Sequence, residues 1–176
     1  MTQVAILKSE RTVDIIKIFG GVLVMSIAAQ VAIPLKPVPI ILHTMVLMVI
    51  GLTYTPKLAM STMAAYLLTG AIGIPVFSNF NAGLPYMIGP TGGYLAGFLI
   101  APTIMAYCRQ RYPSGTISAI CICLLGNLLL YTLGVAWLSY LIGFEKAFYS
   151  GFVVFIPSGI AKIAVLVVIM RYLKIA

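Results

Sequence analysis

The stretch VPIILHTMVLMVIGLTYTPKLAMSTMAAYLLTGAI, from Val38 to Ile72, decides how this chain folds. It is apolar almost throughout, and only Pro56-Lys57 divides it. As one membrane crossing it strands Lys57 in lipid. The flanking basic residues then split four (Lys8, Arg11, Lys17, Lys146) against five (Lys36, Arg109, Arg111, Arg171, Lys174). As two crossings it gathers eight residues, Lys8, Arg11, Lys17, Lys57, Arg109, Arg111, Arg171 and Lys174, on one side, with Lys36 and Lys146 opposite. Basic residues beside membrane spans collect on the cytoplasmic side. Two short crossings satisfy that rule and one does not. Both termini are then expected in the cytoplasm.

Working outward, apolar runs bounded by turn and charge signals give spans at 14–33, 38–55, 57–72, 91–108, 116–142 and 151–173. Composition agrees. The 176 residues are 62% hydrophobic and 8% charged, with mean hydropathy +1.13. A soluble domain carries roughly a quarter charged residues, so a soluble enzyme is excluded. At roughly 20 residues per span, little is left for an extramembrane domain. The expected fold is all-α: six transmembrane helices in a single bundle over residues 1–176, a multi-pass protein of the cell (inner) membrane. Lys8, Arg11 and Lys17 precede an apolar stretch, and Ser26-Ile27-Ala28 faintly resembles a cleavage site. The chain beyond is equally apolar, which favours a retained first span.

With that topology the outward connections carry the interest. Ile33 to Pro39 holds three prolines in seven residues, which stiffens it toward extended geometry. Gly73 to Gly93 is apolar yet rich in Gly and Pro, too broken for a helix and too apolar for an exposed loop. Irregular backbone at membrane depth needs protein or a cavity to satisfy it. The segment is expected to fold back over a pocket. The inner connections, Tyr54–Lys57 and Arg109–Gly115, are short and basic.

Catalytic signatures are missing. His43 is the one histidine, and the acids Glu10, Asp14 and Glu145 all sit near span ends. Neither an HExxH pair, nor a phosphate-binding GxxxxGK[ST] loop, nor a GxSxG elbow occurs. Cys108, Cys121 and Cys123 lack metal-ligand or disulfide spacing. No catalytic residue, metal or cofactor is expected, and any uphill work must be powered by another protein or an ion gradient. The net charge of +8 punctuates apolar runs instead of forming a nucleic-acid face.

One residue stands out. Lys162 lies about eleven residues into the last span, roughly 16 Å along its axis. A lysine at mid-membrane costs roughly 2.5–3.5 kcal/mol on insertion scales and faces a bundle interior or a wet cavity. The sequence offers no carboxylate at that depth, so Lys162 sheds its proton, snorkels, or meets an anionic ligand. Ser158, at i−4, shares its face, and Gly159 leaves room beside it. Asn79 and Asn81 either line the pocket or cap turns. Thr91 and Tyr94 open the fourth span beside Gly92-Gly93. Trp137 and Tyr140 are interfacial anchors or a flat pocket wall. Asn127 reads as interhelical glue and His43 as a hydrogen-bonded packing residue. Ala28 and Ala32 form a small-xxx-small pair that lets another helix approach.

The whole arrangement resembles the BioY family. The resemblance rests on Ala32–Ile40, Tyr66-Leu67-Leu68 with Gly70–Phe77, Gly89–Leu95, Tyr131–Leu138 and Pro157–Lys162, in motif order over essentially the entire chain. It implies a biotin-binding substrate-capture component of an energy-coupling factor transporter, with six helices and no ATPase activity. The vitamin pocket would lie in the outer half, roofed by loops. Biotin would be the ligand, held by residues drawn from Lys162, Ser158, Asn79, Asn81, Tyr94 and Trp137. The implied partners are a transmembrane coupling subunit and two ATP-binding cassette subunits, docking through Ala28 and Ala32. The family usually carries an acidic residue three positions before the lysine, where this chain has Gly159, and often Gln where it has His43. An S component for another small vitamin, a stand-alone biotin transporter and an intramembrane enzyme are the competing readings. The enzyme lacks an acid, base or metal set.

Overall fold

The computed structural model describes residues 2–33, 36–112 and 115–172, with the side chains of 2–10, Ile33 and Arg171 left aside. Pro34, Leu35 and Lys174, and the side chains of Lys8, Glu10 and Arg171, therefore lie outside the described residues.

Eight helices and one short ladder make up the described chain: α1 (Thr2–Gln30), β1 (Ala32–Ile33), β2 (Ile40–Ile41), α2 (His43–Thr53), α3 (Pro56–Ala71), α4 (Leu84–Met87), α5 (Gly92–Arg111), α6 (Thr116–Ile142), α7 (Phe144–Phe148) and α8 (Phe155–Tyr172). A 3₁₀ turn spans Ser78–Phe80 and a π turn, Tyr149–Val153, joins α7 to α8. The six expected stretches correspond to α1, α2, α3, α5, α6 and α7–α8. Three segments, Arg11–Gln30, Thr116–Ile142 and Phe144–Met170, are each long and apolar enough to cross a membrane alone. The division of Val38–Ile72 is a helix boundary: Thr55 caps α3, accepting from the Leu58 amide at 3.3 Å, and Pro56 occupies the first turn.

Two boundaries differ from expectation. The second span does not begin at Val38, because Ile40–Ile41 pair antiparallel with Ala32–Ile33 and α2 starts only at His43. The Leu42 amide extends this ladder to the Val31 carbonyl at 3.0 Å. The chain between α1 and α2 is thus a hairpin, which places Ala32 on a strand, two residues beyond the end of α1. The last span also begins earlier than expected, as the apolar segment runs from Phe144, so Lys162 lies 18 residues after its start (162 − 144) and seven after Phe155, the start of α8.

Close packing of α5 on α6 forms the spine. A Cβ on Gly93 would lie 2.4 Å from the Leu133 carbonyl oxygen, and one on Gly134 would lie 2.2 Å from the Tyr94 ring. Only glycine lets these two helices approach so closely. Met105 then fills the space that Gly51 of α2 and Gly126 of α6 leave open. Met25, Met48, Met63 and Met105 are all fully buried, one each from α1, α2, α3 and α5. Flexible thioethers suit a core where four helices meet at irregular angles. Large apolar side chains cover the opposite faces, among them Ile16, Phe19, Leu23 and Ile27 of α1. That distribution fits a lipid solvent, in which apolar surface carries no penalty.

Candidate functional site

The segment from Ile72 to Thr91 is built as a roof on one end of the bundle. Phe77 anchors it, 1% exposed, stacked on Tyr86 at 5.1 Å and edge-on to Tyr66 at 5.7 Å. Gly70 makes that anchorage possible, since a Cβ there would sit 2.1 Å from Phe77 Cζ. Its carbonyl accepts from the Gly83 amide at 2.7 Å, and the Tyr66 hydroxyl donates to the Val76 carbonyl at 3.0 Å. The turn itself carries Asn79 and Phe80 at φ 56° and 57°, a left-handed conformation uncommon outside glycine. Gln30, the last residue of α1, holds that turn from the side. Its Nε2 donates to the Phe77 carbonyl at 3.1 Å and its Oε1 accepts from the Phe80 amide at 2.9 Å. At the far end of the roof, Trp137 Nε1 donates to the Gly89 carbonyl at 2.9 Å.

Beneath the roof lies a narrow cavity, with room inside of about 40 Å³. Its walls come from nearly every element: Val38, Pro39 and Ile41 from the hairpin, His43 and Thr44 from α2, Tyr66 from α3, and Phe77, Ser78, Tyr86 and Thr91 from the roof. Tyr94, Leu95 and Phe98 of α5, Leu130 and Tyr131 of α6, and Phe155 and Lys162 of α8 complete them. Phe155 packs between Tyr94 and Tyr131, with ring centroids at 6.0 and 5.7 Å. The Tyr94 hydroxyl donates to the Gly151 carbonyl at 2.7 Å, which ties α5 to the π turn. Burial holds the Tyr86 phenol above its usual range, against a smaller opposing effect of its hydrogen bond with Thr91. Tyr86 therefore stays a neutral hydroxyl in the roof.

Lys162 is where the polarity concentrates. Its Nζ donates to the Ile41 carbonyl at 2.6 Å and to Thr44 Oγ1 at 2.7 Å. The lysine thus reaches back toward the end of β2 and the first turn of α2. Both partners are neutral, so two of its three N–H groups are satisfied while no counter-charge faces it among the described residues. Beside it, His43 is 8% exposed and meets Phe98 edge-on at 4.7 Å.

The sequence candidates distribute unevenly around this cavity. Lys162 and Tyr94 line it. Asn79 and Asn81 line a separate shallow depression on the roof, with Lys36, Pro37, Pro85 and Gly89, which shares Pro39, Tyr86 and Thr91 with the cavity. Asn81 Nδ2 is spent on the Ser78 carbonyl at 2.7 Å, a turn-capping role. Ser158 is not among the lining residues; its hydroxyl donates to the Phe155 carbonyl at 3.0 Å. Trp137 is not among the lining residues either; its indole N–H donates to the Gly89 carbonyl. Gly159 opens toward α6 rather than toward Lys162: a Cβ there would meet the Tyr131 hydroxyl at 3.0 Å and Asn127 Nδ2 at 3.3 Å. The docking pair separates as well. Ala28 is 7% exposed inside the bundle, and Ala32 belongs to β1. His43 was expected to pack with its hydrogen bonds made, yet its Nδ1 has no partner among the described residues. Thr44, Ser78 and Gln30 escaped the sequence reading, since single hydroxyls and one amide in apolar runs carry no spacing signal.

Comparison with known proteins gives a consistent result. The chain matches the BioY family over residues 1–176. It is 38% identical over 161 residues to the probable biotin transporter BioY of Rickettsia prowazekii (strain Madrid E), covering 92% of this chain and 83% of that protein. To the probable biotin transporter BioY of Pyrococcus horikoshii it is 35% identical over 164 residues, covering 93% and 96%. Its structure is similar to a 2.1 Å crystal structure of the S-component for biotin from an ECF-type ABC transporter. That likeness has a TM-score of 0.86 at 27% identity and covers 96% of this chain and 94% of the other.

Proposed function

The chain belongs to the BioY family, and on that premise we propose that it captures biotin in the roofed cavity and carries it across the membrane as the substrate-binding component of an energy-coupling factor transporter. The observation that carries this reading is Lys162. A half-buried ammonium whose partners among the described residues are the neutral Ile41 carbonyl and Thr44 hydroxyl leaves a positive charge in an apolar wall. A ligand that brings its own carboxylate supplies the counter-ion. Biotin does so, and its bicyclic ring suits the aromatic walls built from Tyr66, Phe77, Tyr94, Phe98, Tyr131 and Phe155.

The orientation follows from charge. Lys57, Arg109 and Arg111 flank the helix ends opposite the roof, and cytoplasmic connections are the basic ones. The cavity then opens outward, where a scarce vitamin is met. Among the described residues nothing resembles a nucleotide site, so a transmembrane coupling subunit and two ATP-binding cassette subunits would provide the energy. We place their docking surface on the exposed face of α1, around Ile16, Gly20, Leu23 and Ile27. The test is equilibrium binding to purified protein in detergent and in lipid. Saturable, single-site biotin binding without ATP is expected. Absence of binding in both media removes the biotin assignment, and equal competition by an unrelated vitamin moves it to a different substrate.

A further inference from the structure

Two buried polar atoms on the cavity wall lack a hydrogen-bond partner among the described residues: His43 Nδ1 and Ser78 Oγ. Their residues are 8% and 3% exposed, so bulk water does not serve them. A buried polar group left without a partner is costly, and native structures hold few of them. Both residues line the same cavity, His43 from the first turn of α2 and Ser78 from the roof turn. A cavity lined by two residues whose buried polar atoms are unmet suits a polar partner that arrives with the ligand.

We infer that His43 Nδ1 and Ser78 Oγ accept hydrogen bonds from the N–H groups of the ligand's cyclic urea. This rests on the biotin reading above and adds the residues that recognise the ring. A cyclic urea carries two N–H donors, each needing an acceptor once it leaves water. The lysine cannot provide one, because an ammonium only donates. Tyr94 and Tyr131 also bring hydroxyls to the wall, and the Tyr94 oxygen, while donating to Gly151, keeps lone pairs that accept. His43 Nδ1 and Ser78 Oγ differ in being buried without any partner among the described residues. Glycine at position 159 fits this assignment, since an acidic acceptor at that point would meet Tyr131 and Asn127 on α6.

The experiment measures affinity of the full chain for biotin and for biotin methylated at either ureido nitrogen. The variants are His43→Leu, His43→Gln and Ser78→Ala. Wild type should lose about 10- to 100-fold on methylation at each nitrogen, as for one buried hydrogen bond. His43→Leu should lose about as much for biotin, yet no longer distinguish biotin from one of the two methylated forms. Ser78→Ala should lose discrimination at the other nitrogen. His43→Gln, which keeps an acceptor, should recover most of the affinity. Variants that bind biotin like wild type, or that lose the same factor for all three ligands, overturn the inference while leaving the biotin reading intact. Wild-type protein that binds no biotin overturns both.

Discussion

Lys162 has three N–H donors and a charge, and two of the donors meet a partner among the described residues. On the proposed reading its counter-ion comes with the ligand, and this has a measurable consequence. Lys162→Ala should weaken free biotin by about 100-fold or more, because the carboxylate would then be buried unpaired. A biotin amide or ester should lose much less. Equal losses for acid and neutral derivatives would show that Lys162 acts through packing, or that it meets the ring. The lysine was legible in the sequence because a charge inside an apolar run is conspicuous. Its partners were not. A backbone carbonyl at Ile41 and a hydroxyl at Thr44, about 120 residues away in sequence, become neighbours only when the β1–β2 hairpin and the first turn of α2 pack against α8.

Among the elements, the roof shows most plainly why spacing arguments run out. That Gly73–Gly93 cannot be helical follows from its glycines and prolines, and so does its need for satisfied backbone. Which residues satisfy it depends on tertiary contacts. Trp137 proved to be a tether, and Asn81 a cap for the turn. Ala28 and Ala32 show the same limit from another side: a four-residue spacing implies a shared face only while the helix continues, and α1 ends at Gln30. Phe77 supplies a test at this scale. Because Gly70 offers the only kind of surface its ring can rest on, Gly70→Val should lift the roof. We expect biotin dissociation to quicken by about tenfold or more, as overpacking costs about 1–3 kcal/mol. Stopped-flow measurement of release would record it, and an unchanged rate would show that the roof adjusts without opening.

For the whole molecule, the question is how the roofed cavity would communicate with the proposed coupling subunits. The face of α1 with Ile16, Phe19, Gly20, Leu23 and Ile27 is open, and a Cβ on Gly20 would meet nothing within 4 Å. Gly20→Trp should therefore leave folding and biotin binding near normal while uptake and co-purification of coupling subunits are lost. Uptake at the wild-type rate would place docking elsewhere. Ala28→Trp, by contrast, enters the bundle and should damage binding as well as uptake. The Gln30 amide gives this surface its reach. It grips the roof turn by two backbone groups, so a displacement of α1 would pull on Phe77 and Phe80. Thermodynamic linkage then binds the two events in both directions: whatever factor subunit docking removes from biotin affinity, bound biotin must remove from docking affinity. A loaded protein would thus be the poorer partner at equilibrium, and unless ATP is spent to offset that penalty, empty copies would hold the coupling subunits against those carrying cargo.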